Sequence, residues 1–137
     1  MWSKLIQRER RSEVRYQARL PATVIFLGST ETTEEQPLAA LGTTRDISSK
    51  GLSFFVPSFP FDDELAGARR ALKVVLALPI GYVIVWARLV WHEQPQVARP
   101  ELGHLLAAQI IEMSEADRTL YSEYLQRLAT LAQGEGR

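Results

Sequence analysis

The chain contains no cysteine among its 137 residues. Disulfides, thiolate metal sites and cysteine nucleophiles are thereby excluded, and the composition fits a reducing compartment. Histidine is almost as scarce. His92 and His104 are the only two, and neither falls in a metal-ligand spacing such as HExxH. His92, next to Glu93 at a strand end, reads as a surface or capping residue, and His104, after Gly103, as a barrel residue. There is no serine elbow and no phosphate-binding glycine-rich loop. Ser48 and Ser49 have no base nearby, and Asp62-Asp63-Glu64 is a solvated run in a proline-rich stretch. Without an acid–base constellation the chain is not expected to be an enzyme, and no metal or cofactor is expected. Long apolar runs are missing too. The longest, Ala71 to Trp91, is broken by Lys73, Pro79, Gly81 and Arg88, which argues against membrane insertion. The N-terminus lacks the apolar core of a signal peptide, so a cytoplasmic protein is expected.

What is present is an uneven distribution of charge. The formal net charge is +0. Within residues 1–19, however, Lys4, Arg8, Arg10, Arg11, Arg15 and Arg19 stand against Glu9 and Glu13, a net +4 that leaves −4 for the remainder. A basic arm on an acidic body suits an anionic partner, or is a solvated tail.

A length of 137 residues and 46 % hydrophobic content suit one domain with a real core. Strands are expected at Gln17–Leu27, Gly42–Ile47, Gly51–Val56, Ala71–Pro79, Tyr82–Glu93 and Leu102–Ile111, from β-branched and aromatic runs between turn residues. In the fifth, Val83, Val85, Ala87, Leu89 and Trp91 share one face and Ile84, Trp86, Arg88 and Val90 the other. Apolar residues on both faces suggest a strand covered on both sides, for instance by a barrel interior and a helix. Six short strands without alternating helices point to an antiparallel barrel or sandwich. After Met113 the period becomes helical: Leu120, Tyr121, Tyr124, Leu125, Leu128, Leu131 and Ala132 form a stripe. Ser114 is the expected N-cap, Asp117 the capping-box acid, and Gly134 the stop. The expected organisation is a flexible basic arm at 1–16, a barrel at 17–113 and a helix at 114–133.

Two motifs carry chemistry. Arg11-Ser12-Glu13-Val14-Arg15, preceded by Arg10, presents planar guanidinium forks that grip phosphate bidentately, pair with guanine or stack on flat rings. Asp46-Ile47-Ser48-Ser49-Lys50-Gly51 presents a carboxylate that accepts from the N–H groups of a guanine edge, which arginine cannot do. The Ser48 hydroxyl can serve a base or phosphate, and Gly51 can adopt positive φ and leave room for a flat ligand. Together they supply a cation for phosphate and an acceptor for base.

On these residues the chain resembles the PilZ domain family. "RSEVR" fills that family's RxxxR motif and "DISSKG" its (D/N)xSxxG motif. "RLVW" and the "SEADRTLYSEYL" ending are similar to the family's later strand and closing helix, so the resemblance covers nearly the whole chain. It implies a mostly β fold, a six-stranded antiparallel β-barrel of PilZ type with a C-terminal α-helix packed on it. It also implies a bacterial receptor for cyclic di-GMP, with Arg11 and Arg15 on phosphate and guanine edges, Arg10 stacked on a base, and Asp46, Ser48 and Gly51 on the barrel side. A downstream protein, not identified by the sequence, would read the bound state, with the receptor a monomer or weak dimer. The alternatives are a PilZ-like adaptor that binds no nucleotide, and a small barrel that binds RNA or single-stranded DNA. The acidic body and the few aromatics interleaved with Lys or Arg speak against nucleic acid.

Overall fold

Alternating apolar residues set the strands, and their order sets where the two motifs meet. The computed structural model describes residues 13–27, 38–57 and 70–135. These form β1 (Tyr16–Gln17), β2 (Pro21–Phe26), β3 (Leu38–Ile47), β4 (Gly51–Val56), β5 (Ala71–Leu78), β6 (Gly81–Glu93), a 3-10 turn (Pro100–Leu102), β7 (His104–Glu112) and α1 (Glu115–Glu135). The sheet order is β1-β3-β2-β5-β6-β7-β4, and β4 pairs back onto β3. All pairings are antiparallel. The six strands β2 to β7 therefore close into a barrel, as expected, and β1 is one extra short strand.

The first expected strand is in fact split. Between β1 and β2 the Thr44 hydroxyl accepts from the Leu20 N–H at 2.8 Å and donates to the Ala18 carbonyl. The Thr44 N–H donates to the Leu20 carbonyl at 2.9 Å. A buried threonine thus takes over the hydrogen bonding that a continuous ladder would have supplied. β3 also begins earlier than expected, at Leu38, because its first half pairs with β2 and its second half with β1 and β4.

Period-two alternation fills the interior. Val24, Phe54, Val56, Leu72, Val74, Leu76, Val85 and Leu106 are fully buried. Removing a side chain such as Phe54 would cost about 3–5 kcal/mol. On β6, Val83, Val85, Ala87 and Leu89 are buried, whereas Ile84, Trp86 and Val90 are exposed. That strand is not covered on both sides. The strands buried on both faces are β4, through Leu52, Ser53 and Phe54, and β7, from Leu105 to Ala108. Trp91 does not follow Leu89 into the core, because the register slips between them.

The N-terminus of α1 is capped as its sequence indicates, the Asp117 N–H donating to Ser114 Oγ at 3.1 Å, but the helix runs past the expected stop at Gly134 to Glu135. The Asp117 carboxylate accepts from the Ile84 N–H at 3.0 Å, on the part of β6 that lies before its pairing with β7 begins at Trp86. Tyr121 is buried within the core cluster, and Leu120, Tyr124, Leu125 and Leu128 pack against it. The helix thus joins the interior cluster and leaves Ile84 and Trp86 exposed. Among the described residues no helix is long and apolar enough to cross a membrane.

Candidate functional site

Two β-bulges build the site. Strict alternation would send Thr44 and Asp46 to one face and Arg45 and Ile47 to the other. The pairing of β3 with β4 slips between Thr44 and Asp46. Thr44 and Ile47 are consequently both buried, and Arg45 and Asp46 both escape the interior. The same device recurs on β6, where the slip between Leu89 and Trp91 leaves Val90 and Trp91 both exposed. An extra residue on one strand re-aims two neighbouring side chains outward, which is what bulges do beside binding sites. Arg45, Val90 and Trp91 line one cavity of about 540 Å³, together with Arg15, Lys50 and Gly51. That volume lies within the range of small-molecule sites.

The arm reaches this cavity through β1. Its pairing of Gln17 with Asp46 and Tyr16 with Ile47 sets Arg15 beside the turn. Arg15 Nη1 donates to Asp46 Oδ1 at 2.8 Å, and Arg45 Nε donates to Asp46 Oδ2 at 3.0 Å. Both carboxylate oxygens are engaged, one by each guanidinium. The Asp46 side chain is 14 % exposed, against 47 % for Arg15 and 44 % for Arg45. Half-exposed guanidiniums make such pairs worth about 1 kcal/mol or less, so they are readily exchanged for a better anion.

Ser48 shapes the turn from inside. It is fully buried. Its hydroxyl accepts from the N–H groups of Lys50 at 3.2 Å and Gly51 at 3.0 Å and donates to Glu13. The turn closes with a Ser48 N–H bond to the Gly51 carbonyl at 2.9 Å. Gly51 does not use positive φ; among the described glycines only Gly81 and Gly103 do. What it supplies is clearance. A Cβ there would lie 3.0 Å from the Ala108 carbonyl oxygen, 3.7 Å from Arg15 Nη2 and 3.8 Å from Glu13 Oε1. Below the turn, the Tyr121 hydroxyl of α1 donates to the Ser48 carbonyl at 2.6 Å. Burial, reinforced by the nearby Glu13 charge, pushes the Tyr121 phenol far up.

Arg15, Asp46, Ser48 and Gly51 therefore converge, while Arg10 and Arg11 lie outside the described residues. Sequence reasoning did not anticipate Arg45, Lys50, Glu13, Trp91 or Tyr121 as parts of the site. No spacing in the sequence marks them: Arg45 and Trp91 face outward because of register slips against β4 and β7. Among the described residues no group of three or more His, Asp or Glu could hold a metal ion. His92 and His104 lie together on β6 and β7, ring centroids 6.4 Å apart.

A family model described as the PilZ domain matches residues 9–127. No curated protein matches the chain. Among solved structures, the fold is similar to the PilZ domain with c-di-GMP of YcgR from Escherichia coli. The TM-score is 0.63 at 15 % identity, over 93 % of this chain and 97 % of that one. It is similar also to the MrkH-c-di-GMP complex of K. pneumonia, with a TM-score of 0.67 at 13 % identity, over 92 % of this chain and 55 % of that one. A third similar structure is the Bacillus subtilis inhibitor of motility, MotI/DgrA, with a TM-score of 0.60 at 15 % identity over 88 % of this chain and 52 % of that one. The chain spans about half the length of the last two.

Proposed function

The chain belongs to the PilZ domain family, and on that premise we propose that it is a receptor for cyclic di-GMP that passes the bound state to a partner protein. The observation that carries this reading is the Arg15–Asp46 pair at 2.8 Å. It joins the RxxxR arm to the DxSxxG turn across 31 positions of sequence, beside a cavity that Trp91 helps to line. PilZ-domain structures with cyclic di-GMP among the similar folds add support.

The chemistry follows from the residues. A phosphate of the ligand takes over Arg15, joined by Arg11 from the arm, in charge-assisted bidentate contacts. Once Arg15 is drawn away, Asp46 Oδ1 is free to accept from an N–H of a guanine edge while Arg45 stays on Oδ2. Trp91 and Arg10 offer flat surfaces for the bases. Gly51 leaves the space. Ser48 keeps the turn in shape, and its carbonyl, held by Tyr121, ties the turn to α1. Binding that moves the arm or turn therefore alters a surface made of arm, ligand and barrel, which a cytoplasmic partner reads. The work is recognition, without catalysis or a cofactor.

Titration calorimetry with cyclic di-GMP, beside cyclic di-AMP and GTP, tests the reading. Saturable binding of cyclic di-GMP alone supports it. Heat changes no larger than dilution for all three would leave the nucleotide-free adaptor as the better account.

A further inference from the structure

The RxxxR motif of this chain contains an acid. Glu13 lies between Arg11 and Arg15, where a site for a phosphate ligand would be expected to avoid negative charge. The structure gives it a definite position. Glu13 accepts from the Ser48 hydroxyl and lines the same cavity as Arg15, Arg45 and Lys50. Its Oε1 and the Arg15 Nη2 both come within 3.8 Å of the point where a Cβ on Gly51 would stand. A carboxylate and a guanidinium thus converge on the small clearing that Gly51 provides. Ser48, the motif residue beneath, is fully buried, and its hydroxyl donates to Glu13 in preference to the more distant Gly51 carbonyl, 3.3 Å away.

We infer that Glu13 is a built-in competitor for the ligand's phosphate, holding Ser48 and the clearing at Gly51 until cyclic di-GMP displaces it. The inference rests on the receptor reading above and adds to it what sets the affinity. A phosphate drawn to Arg15 meets the Glu13 charge at close range. Both anions cannot occupy the clearing, because like charges a few ångströms apart in a partly desolvated site repel strongly. When Glu13 leaves, the Ser48 hydroxyl keeps only the longer bond to the Gly51 carbonyl at 3.3 Å and can turn to donate to the incoming ligand instead. Ser48 therefore contacts ligand only in the exchanged state. Glu13 also selects among ligands. A weakly charged or monodentate anion cannot outcompete a tethered carboxylate, whereas a ligand that engages several arginines and Asp46 at once can.

The test separates the charge of Glu13 from its shape. Glu13→Gln keeps an acceptor for Ser48 and removes the charge; Glu13→Ala removes both. Each is titrated with cyclic di-GMP and, as a base-free probe, with inorganic pyrophosphate, at low and high salt. The expected result is that Glu13→Gln binds cyclic di-GMP roughly three- to tenfold tighter than the parent. The gain should shrink at high salt, where screening removes the repulsion being relieved. A purely structural anchor would instead leave Glu13→Gln unchanged and weaken Glu13→Ala. Equal or weaker binding of both probes by Glu13→Gln overturns the inference, whatever Glu13→Ala does. If neither protein binds cyclic di-GMP but Glu13→Gln gains affinity for pyrophosphate, the competitor role stands and the receptor reading falls.

Discussion

Replacing Tyr121 by Phe removes one oxygen atom and tests whether α1 is latched to the ligand turn. The hydroxyl lies 2.6 Å from the Ser48 carbonyl, and Tyr121 is 2 % exposed. Water therefore has little access to the carbonyl left behind. Losing a neutral hydrogen bond and stranding its buried acceptor costs about 1–2 kcal/mol. With a urea m-value of about 2 kcal/mol/M, the unfolding midpoint should fall by roughly 0.5–1 M with m unchanged. Tyr121→Ala, which also empties the ring's space, should cost about 3–5 kcal/mol, and the difference between the two variants isolates packing from the bond. The pH dependence gives a second handle. Burial raises the folded-state phenol above its ordinary value of 10.0, so the protonated form is the one the fold prefers. The stability this contributes is complete below pH 10 and lost progressively as the pH rises above it, because the unfolded chain releases the proton first. Tyr121→Phe should show a shallower decline than the parent, keeping only what the Tyr124 phenol, also raised by burial, contributes. A Phe variant with the parent's urea midpoint and the parent's alkaline profile would refute the latch.

Arg15→Ala and Arg11→Ala should each weaken cyclic di-GMP binding by about 2–4 kcal/mol, read by calorimetry, through loss of a bidentate charged contact. Asp46→Ala should lower affinity for guanine ligands while changing thermal stability by less than about 1 kcal/mol, since its partners are half exposed. Gly103→Ala should cost about 3 kcal/mol or more in denaturant unfolding: φ is +79° and a Cβ would stand 2.3 Å from the Val56 carbonyl oxygen. Leu125→Ala, on the half-buried stripe of α1, should cost only about 1–2 kcal/mol, below the range for a fully buried leucine.

The strands were legible because β-favouring runs lie between turn residues: Gly51–Val56 matches its expected span throughout, and along Ala71–Leu78 alternation and burial agree. The N-cap at Ser114 was legible because capping is local. Less legible were features that depend on partners far along the chain. β1 is two residues long and exists because β3 has an open edge beside Ile47 and Asp46. The outward turn of Trp91 follows from a slip against β7, which no property of β6 alone dictates. Arg15 and Asp46 were nameable from their motifs, but their meeting required β1. Arg45 and Glu13 were hidden because their roles come from a bulge and from a buried serine hydroxyl, neither of which has a fixed spacing. Tyr121 was visible as one of a helical stripe; its bond to the Ser48 carbonyl was not.

The central claim is that arm and turn form one cyclic di-GMP site over the two bulges. Amide and indole NMR shifts during titration with cyclic di-GMP test it most directly, because they report where the ligand sits. The largest changes are expected at Arg15, from Arg45 to Gly51, and at Val90 and the Trp91 indole, with smaller ones reaching Tyr121. Saturating shifts confined to another part of the barrel, or none at any of these positions, would contradict it.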